Sequence, residues 1–338
     1  MGKPEVVPRN LRPLSARTED FFTKIGERQM ITKPMDVLKN HPVRRTDEQK
    51  SAFVSSVTEY FRQLGYAVNV ESGQRKSRNV VIGDPEKAQY LVTAHYDTPV
   101  SSLFPNILLP KSFALFYLYQ TGIILAFMLI ALVVCAPVWF LTENKTATFV
   151  VWYVVYMVQA MWGRIGMPNK NNANDNTSGV VTLLETAGAL PQALRGRVCF
   201  VLFDQEEKGL LGSKDYRDAH KEQTEKQIVL NMDCVGDGDI IQFEPVKSAQ
   251  EDSDLIEKLS GICKRADGKE IRLATGSFTG SSDHRNFPKG VGIKALRYKK
   301  GVGLYCGHIH TNRDKTLDET NVNTLQAVLI HIISSADK

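Results

Sequence analysis

Histidine and carboxylate side chains recur in five short motifs of the sequence. Three of the motifs end an apolar run: HYD at 95–97, DQEE at 204–207 and NMD at 231–233. The other two are NDNTSG at 174–179 and GHIHT at 307–311. Imidazole and carboxylate groups are the ligands that zinc takes in proteins, and cobalt or manganese can use the same set. Together the motifs favour a site for divalent cations.

The spacing within the motifs suits particular roles. Side chains two apart on a strand share a face, so Asp97 can accept the ring N–H of His95 and fix which nitrogen faces a metal. A carboxylate such as Asp175 can bridge two cations. The adjacent glutamates at 206–207 can divide the work, one binding metal while the other takes a proton from water. In GHIHT, either histidine can be the ligand.

Each motif also has an ordinary structural interpretation. A polar cluster before a helix is usually a cap, and a carboxylate that ends a strand is usually part of a turn. The GHIHT segment fits a plain surface loop equally well. It is the joint occurrence of two histidines and several carboxylates, mostly at strand ends, that favours a metal site over five unrelated turns.

The elements that would position these motifs alternate between strand and helix patterns. Residues 46–65 carry apolar residues at helical spacing, with Thr46 or Asp47 as the cap and Gly65 as the end. Further helices are expected at 177–190, 252–266 and 321–334, and strands at 66–72, 78–84, 89–95, 197–203, 226–233 and 291–298. This alternation predicts an α/β fold with a mixed, mostly parallel central sheet and helices on both faces. Sites gather at the carboxyl ends of parallel strands.

One segment departs from this pattern because it is almost wholly apolar. Residues 113–141 contain no charged residue, and residues 146–167 contain only Arg164. Each run is long enough to cross a bilayer as a helix, which takes roughly 20 residues. Three tryptophans suit the aromatic belts of a membrane interface. The pair predicts an inserted transmembrane helical hairpin; buried core helices, a hairpin lying on the membrane or a dimer-forming hairpin are the alternatives.

The hairpin divides the chain into three predicted parts. Residues 1–45 form an N-terminal arm, residues 46–105 and 170–338 form one discontinuous soluble domain, and residues 106–169 form the insertion. Two spans return the chain to the side from which it entered. The two halves of the soluble domain can therefore fold together.

Charge and cysteine content narrow the setting. A net charge of +5 without a dense basic run argues against nucleic acid as a partner. Five cysteines without a CxxC pair favour a reducing compartment, and the first residues lack the apolar stretch of a secretory signal. Lys111, Arg164 and Lys170 flank the hairpin on the soluble-domain side, so the positive-inside rule predicts a cytoplasmic domain. The bilayer is the expected partner of residues 106–169. The sequence leaves open whether the chain forms a homo-oligomer.

In their order along the chain, the motifs resemble the co-catalytic zinc aminopeptidase family. That family includes bacterial leucyl aminopeptidases, glutamate carboxypeptidases and glutaminyl cyclases. The resemblance covers roughly residues 46–100 and 170–338, and EEKGLLGS and SSDHRNFPKGVG are its most specific segments. It implies a zinc-exopeptidase fold, two zinc ions and hydrolysis of peptide bonds, with removal of N-terminal residues as the first expectation.

The resemblance also implies a role for each site residue. Five residues would hold the two zinc ions: His95 and Asp233 on one, Glu207 and His310 on the other, and Asp175 between them. Glu206 would act as general base and then as general acid, and Asp97 would orient the first histidine. Three further residues, Asp283, His284 and Tyr305, are expected to line the substrate pocket.

Two other functions stay open at this level. The apolar hairpin beside the metal motifs suggests an amidase or peptidase acting on lipid-linked or membrane-derived peptides. A non-catalytic binding protein on the same fold, as in the transferrin-receptor branch of the family, should lack ligands or the base, and this chain has all six residues. Because glutaminyl cyclases generally use one zinc and lack the HxD pair, the HYD motif favours hydrolysis over cyclisation.

Overall fold

The computed structural model describes residues 30–263 and 269–335. Its strands are β1 Val68–Ser72, β2 Arg78–Ile82, β3 Tyr90–His95, β4 Asn106–Leu108, β5 Val198–Phe203, β6 Ile228–Met232, β7 Ile240–Pro245, β8 Glu270–Leu273, β9 Gly290–Lys299 and β10 Gly303–Ile309. Its α-helices are α1 Asp36–Asn40, α2 Asp47–Gln63, α3 Phe113–Thr142, α4 Lys145–Ile165, α5 Gly179–Ala189, α6 Leu211–Ala219, α7 Lys221–Thr224, α8 Lys247–Gln250, α9 Ser253–Cys263 and α10 Glu319–Ser334. Most of the predicted N-terminal arm lies outside the described residues.

These strands form one sheet in the order β1-β2-β5-β3-β6-β9-β10-β4, with β7 beside β9 and β8 beside β7. The four central strands β5, β3, β6 and β9 run parallel to one another. The pairings that extend the sheet beyond them on either side, β1–β2–β5 and β9–β10–β4, are antiparallel. The mixed sheet with a parallel centre that the sequence predicts is therefore confirmed.

Helices cover both faces of this sheet, and the alternation along each strand explains why. In β3, Val92 and Ala94 belong to a large apolar cluster that includes residues of α2, α5 and α10, whereas Leu91 points the other way. The opposite cluster includes Tyr216 of α6 and Phe287. Successive side chains on a strand face opposite sides, so a strand buried on both faces is apolar throughout.

The parallel centre brings three of the sequence motifs to one edge of the sheet. In the pairing register, His95 at the end of β3 lies opposite Phe203 at the end of β5, and Ala94 lies opposite Met232 at the end of β6. The residues that follow these strands leave the sheet side by side. HYD, DQEE and NMD are therefore neighbours in space.

Several elements differ from the sequence-based expectation. Strands β4, β7, β8 and β10 were not predicted, and β10 contains the first three residues of GHIHT. Since Ile309 in that motif is buried, the surface-loop interpretation is wrong. The helix expected at 252–266 is described at Ser253–Cys263, with its predicted end among the undescribed residues, and α10 begins two residues early, where the Asp318 side chain caps it.

The apolar insertion forms two antiparallel helices, α3 and α4, joined by Glu143 and Asn144. The Asn144 side chain accepts the N–H of Ala147 at 3.1 Å and so caps α4. In the described part of the chain, α3 alone is long and apolar enough to cross a membrane, and only 11% of its apolar window is buried. That low burial excludes the alternative of a core helix for α3, while the second predicted span does not reach the same apolarity.

Candidate active site

Two groups of side chains that could hold a metal ion lie at the carboxyl edge of the central strands. The first contains His95, Asp175 and Asp233, and the second contains Asp175, Glu207 and His310. Within each group, one potential ligand atom per residue lies within 4.8 Å of the others. The structure thus brings together all five residues predicted to bind metal, in the two sets that the sequence resemblance implied.

Asp175 belongs to both groups through different oxygen atoms. Its Oδ1 lies 3.3 Å from Nε2 of His95, and its Oδ2 lies 2.9 Å from Nε2 of His310. On the outer sides, Asp233 Oδ1 lies 3.8 Å from His95 Nε2, and Glu207 Oε1 lies 3.5 Å from His310 Nε2. A carboxylate that turns one oxygen to each group has the geometry of a bridging ligand.

The side chains present fit a pair of cations. Glu207 Oε1 is buried and has no hydrogen-bond partner, since its 3.5 Å approach to His310 Nε2 does not form a hydrogen bond, and a buried carboxylate oxygen without one is costly. Burial raises the pKa of Glu207 to about 8 and that of Glu206 well above its usual range. Burial opposes protonation of His310, but the charges of Glu207 and Asp175 outweigh it and raise its pKa to about 9. Bound cations would supply the positive charge that this buried cluster otherwise takes from protons.

A sharp turn after β5 presents the two glutamates. Gln205 has a φ of 56° and Gly209 a φ of 103°, so the chain reverses over Glu206–Lys208 before α6 begins. Gly212 passes so close to β5 that a Cβ atom would lie 2.1 Å from the Asp204 carbonyl oxygen. This close approach is the physical reason for a glycine near the start of α6 in the EEKGLLGS segment.

Asp97 holds this turn in place. Its Oδ1 accepts the backbone N–H of Glu206 at 3.0 Å, and its Oδ2 accepts that of Glu207 at 3.3 Å. Towards His95, the main-chain oxygen of Asp97 is 3.2 Å from Nδ1 and Oδ1 is 3.5 Å away. The Asp97 carboxylate was predicted to orient His95, but its shorter contacts are the hydrogen bonds that it accepts from the backbone of the two glutamates.

Two further groups position the site and were not assigned from sequence. Asp314 accepts the backbone N–H of Asn174 at 2.7 Å and that of Asp175 at 3.0 Å. Arg44 is fully buried and donates to the main-chain oxygen of Tyr96 and to Thr177 Oγ1. The burial of this basic residue has no local sequence signal, because Tyr96 and Thr177 are both more than fifty residues away along the chain.

A cavity of about 460 Å³ opens on the metal-binding groups. Besides the five candidate ligands it is lined by Glu206 and by residues from several elements: Asn106, Leu108, Gly209, Leu210, Lys214, Cys234, Ser281 and Ile309. Glu206 thus reaches the same space as the two groups. That position suits a base acting on water held there.

The three residues expected in the substrate pocket are not among those that line this cavity. Asp283 turns inward and accepts a hydrogen bond from the Ser213 hydroxyl. His284 is buried against β9, where a Cβ on Gly292 would lie 2.6 Å from its ring, and burial lowers its pKa to about 3. Tyr305 lies on β10 opposite Arg297. The lining position nearest in sequence is Ser281 for Asp283 and His284, and Ile309 for Tyr305.

A match to a family model shows to which protein family the chain belongs. The model for peptidase family M28 matches residues 155–335, more than half of the chain. The chain belongs to peptidase family M28. As a member of M28, it is a metal-dependent hydrolase that acts on peptide bonds. The match includes four of the predicted ligands and Glu206, while His95 precedes it.

Solved structures with the same fold cover almost all of this M28 chain. A Zn-dependent exopeptidase from Parabacteroides distasonis has a TM-score of 0.56 at 15% identity, over 90% of this chain and 97% of that one. A Porphyromonas gingivalis glutaminyl cyclase has a TM-score of 0.54 at 18% identity, over 89% and 96%. The LapA aminopeptidase of Legionella pneumophila has a TM-score of 0.53 at 16% identity, over 99% and 78%. No curated protein sequence matches the chain.

Proposed function

We propose that this M28 peptidase is a membrane-anchored di-zinc aminopeptidase. The observation that carries the proposal is the pair of three-residue groups that share Asp175, with Glu206 lining the same cavity. One zinc would be held by His95, Asp175 and Asp233, and the other by Asp175, Glu207 and His310. The Zn-dependent exopeptidase and the aminopeptidase of the same fold support this choice of metal and reaction.

The chain's own residues divide the reaction between them. Two zinc ions bound there would polarise the scissile carbonyl and lower the pKa of bound water, so that hydroxide is available as the nucleophile at neutral pH. Glu206 accepts the proton that this water gives up and passes it to the departing amine. Asp97 fixes the position of Glu206 and Glu207 by accepting hydrogen bonds from their backbone N–H groups. Asp314 does the same for Asp175.

The membrane part of the proposal rests on the helix pair. In the described residues, all large exposed apolar side chains but three lie between residues 113 and 167. A continuous apolar surface of this extent marks a membrane or protein partner. Helix α4 has 21 residues, about 32 Å at 1.5 Å per residue, which matches the roughly 30 Å of bilayer hydrocarbon. We therefore assign the second span to α4 as well.

The charges around the base of the helix pair favour a cytoplasmic domain. Lys111 precedes α3, and two exposed lysines, Lys299 at the end of β9 and Lys300 in the turn to β10, lie near it. That turn is tied to the start of α3, because the Ser112 hydroxyl donates to the Val302 carbonyl at 2.8 Å. Basic residues on this side outnumber Lys145 near the far end, as the positive-inside rule requires.

The test uses detergent-solubilised protein, added zinc and a panel of aminoacyl anilides and unblocked peptides. The proposal expects release of the N-terminal residue from unblocked peptides and none from N-acetylated ones. Cleavage inside acetylated peptides would make the enzyme an endopeptidase. Cyclisation of an N-terminal glutamine without hydrolysis of any other peptide would point instead to the reaction named for the Porphyromonas protein of the same fold.

A further inference from the structure

The active-site cavity ends against the chain that leads into the helix pair. Its wall includes Asn106 and Leu108 of β4. Leu108 precedes Phe113, the first residue of α3, by five positions. Five residues span at most about 18 Å even when fully extended. The cavity and the base of the helix pair are therefore close neighbours.

A shorter connection runs through residues 100–105, here called the rim loop. The backbone N–H of Ser102 donates to the carbonyl oxygen of His310 at 2.7 Å. Two residues further on, the Phe104 ring lies 5.5 Å from the Phe127 ring of α3. Two residues reach at most about 7 Å. The backbone of a proposed metal ligand and the apolar surface of α3 are thus joined by a very short piece of chain.

The rim loop is also fixed to both helices by hydrogen bonds. Tyr119 of α3 donates its hydroxyl to the Pro105 carbonyl at 2.6 Å. Trp162 of α4 donates its indole N–H to the Ser101 carbonyl at 3.0 Å. These contacts set the active site at one position relative to the helix pair. A simple tether would need no such contacts.

The rim loop shares the apolar surface of the helices. Outside residues 113–167, the described residues expose large apolar side chains only at Val70, Leu103 and Tyr298. Leu103 is on the rim loop and is 60% exposed, and Tyr298 borders the basic turn tied to α3. Two of the three exceptions therefore lie at the base of the helix pair, where a bilayer surface would cover them.

We propose that the substrates are polypeptides anchored in the bilayer, whose short free N-terminal segments enter the cavity across the rim loop. This inference rests on the proposed function, since it needs both aminopeptidase activity and insertion of the helix pair. Water adds to the carbonyl of the first peptide bond and the C–N bond breaks. The first residue leaves as a free amino acid, and the shortened polypeptide keeps its anchor and gains a new amino terminus.

A spacer series tests the distance between the site and the bilayer. The full chain is reconstituted in phosphatidylcholine nanodiscs with peptides that carry two palmitoyl groups at the C-terminal end. Each anchored peptide begins with the amino acid that the enzyme removes fastest from free peptides. Glycine-serine spacers place the scissile bond 4, 8, 16 or 32 residues from the anchor. Four residues reach at most about 14 Å.

The inference expects the 4- and 8-residue peptides to be cleaved at least as fast as the 32-residue peptide, and all anchored peptides faster than the free one. Anchoring alone raises the effective concentration of substrate for every spacer length. Faster cleavage of anchored than of free peptides is therefore not by itself evidence for the inference. Cleavage of only the 16- and 32-residue peptides would overturn it, because the site would then stand away from the bilayer. If no peptide, free or anchored, loses its first residue, the proposed function fails and the inference with it.

A pair of substitutions adds an independent test. Leu103→Asn removes the exposed apolar side chain of the rim loop, and Val70→Asn makes the same change on β1, at the far edge of the sheet. For Leu103→Asn we expect the ratio of kcat/KM for the 4-residue peptide to that for the free peptide to fall by about five-fold, while Val70→Asn keeps the wild-type ratio. Equal ratios in all three proteins would contradict a role for the rim loop.

Discussion

The carboxyl edge of the sheet and the helix pair depart from ordinary protein structure in opposite ways. At the sheet edge, ionisable side chains are buried: His95 is 1% exposed and Asp175 is 3% exposed. On the helix pair, apolar side chains are exposed, up to 84% for Leu141. A buried charge is unfavourable unless an opposite charge or a hydrogen bond compensates it, and a large exposed apolar surface is unfavourable unless a partner covers it. Under the proposed function the two regions have different partners, cations at the sheet edge and lipid on the helix pair.

The largest expected effect comes from Glu206→Gln, which keeps the shape of the sheet edge and removes its base. We expect kcat to fall by about 10³-fold, within the range for losing general acid–base catalysis. Zinc content should stay at the wild-type value because the ligands are intact. Glu257→Gln, at an exposed position on α9, is the matched control. Wild-type turnover in Glu206→Gln would remove this residue from the mechanism.

Asp175→Asn tests whether one carboxylate serves both groups. An amide cannot give a charged oxygen to each of two cations, so we expect at least one zinc to be lost and kcat/KM to fall by about 10²-fold or more. Metal analysis and kinetics on the same preparation measure both effects. Asp254→Asn, on the exposed face of α9, should change neither. Full zinc content in Asp175→Asn would show that the bridge is not needed.

Val133→Arg tests the other half of the comparison. Val133 is 65% exposed near the middle of the helix pair, where an arginine costs about 2.5–3.5 kcal/mol of insertion free energy. We expect much of the protein to leave the membrane fraction. Leu141→Arg, next to the connecting turn, should do so less, because its side chain can reach the interface. Equal retention of both variants would argue that lipid does not surround this surface.

Removing metal should destabilise the protein most at alkaline pH. In the cation-free site, Glu207 has a pKa of about 8, above its usual value, and His310 one of about 9. Groups with a raised folded pKa stabilise the fold at low pH, and this contribution is lost as pH rises through the folded pKa. The difference in Tm between zinc-loaded and chelated protein should therefore widen from pH 6.5 to pH 9.

At zinc about 100-fold above its Kd, binding contributes about 2.7 kcal/mol, which corresponds to a Tm shift of roughly 5 °C or more for a domain of this size. Differential scanning fluorimetry across pH 6.5 to 9 measures the difference. A difference in Tm that narrows as pH rises would contradict the assignment of these two residues to a cation site.

Part of this site could be predicted from local sequence, and the reason is geometric. His95, the glutamates at 206–207 and Asp233 each end or follow an apolar strand, and parallel strands end at one edge. His310 had no such signal, because β10 is antiparallel to its neighbours and contains glycines. Its assignment, like the pairing of ligands around Asp175, came from resemblance to a family.

Other features depend on contacts that no local pattern records. Arg44 donates to Tyr96 and Thr177, which are distant in sequence, and Asp314 is positioned by the loop that it supports. Asp283 and His284 lie close in sequence to the lining residue Ser281, yet their side chains face the protein interior. The helix pair was readable from composition alone, whereas its attachment to the rim loop was not, since that depends on single hydrogen bonds.

The most direct test of the central claim is a count of zinc ions in the full-length protein, purified in detergent and assayed for activity in the same sample. Inductively coupled plasma mass spectrometry with quantitative amino-acid analysis gives the ratio of zinc to chain. The two groups that share Asp175 predict two zinc ions per chain at full activity. A fully active protein with one zinc or fewer would contradict the account.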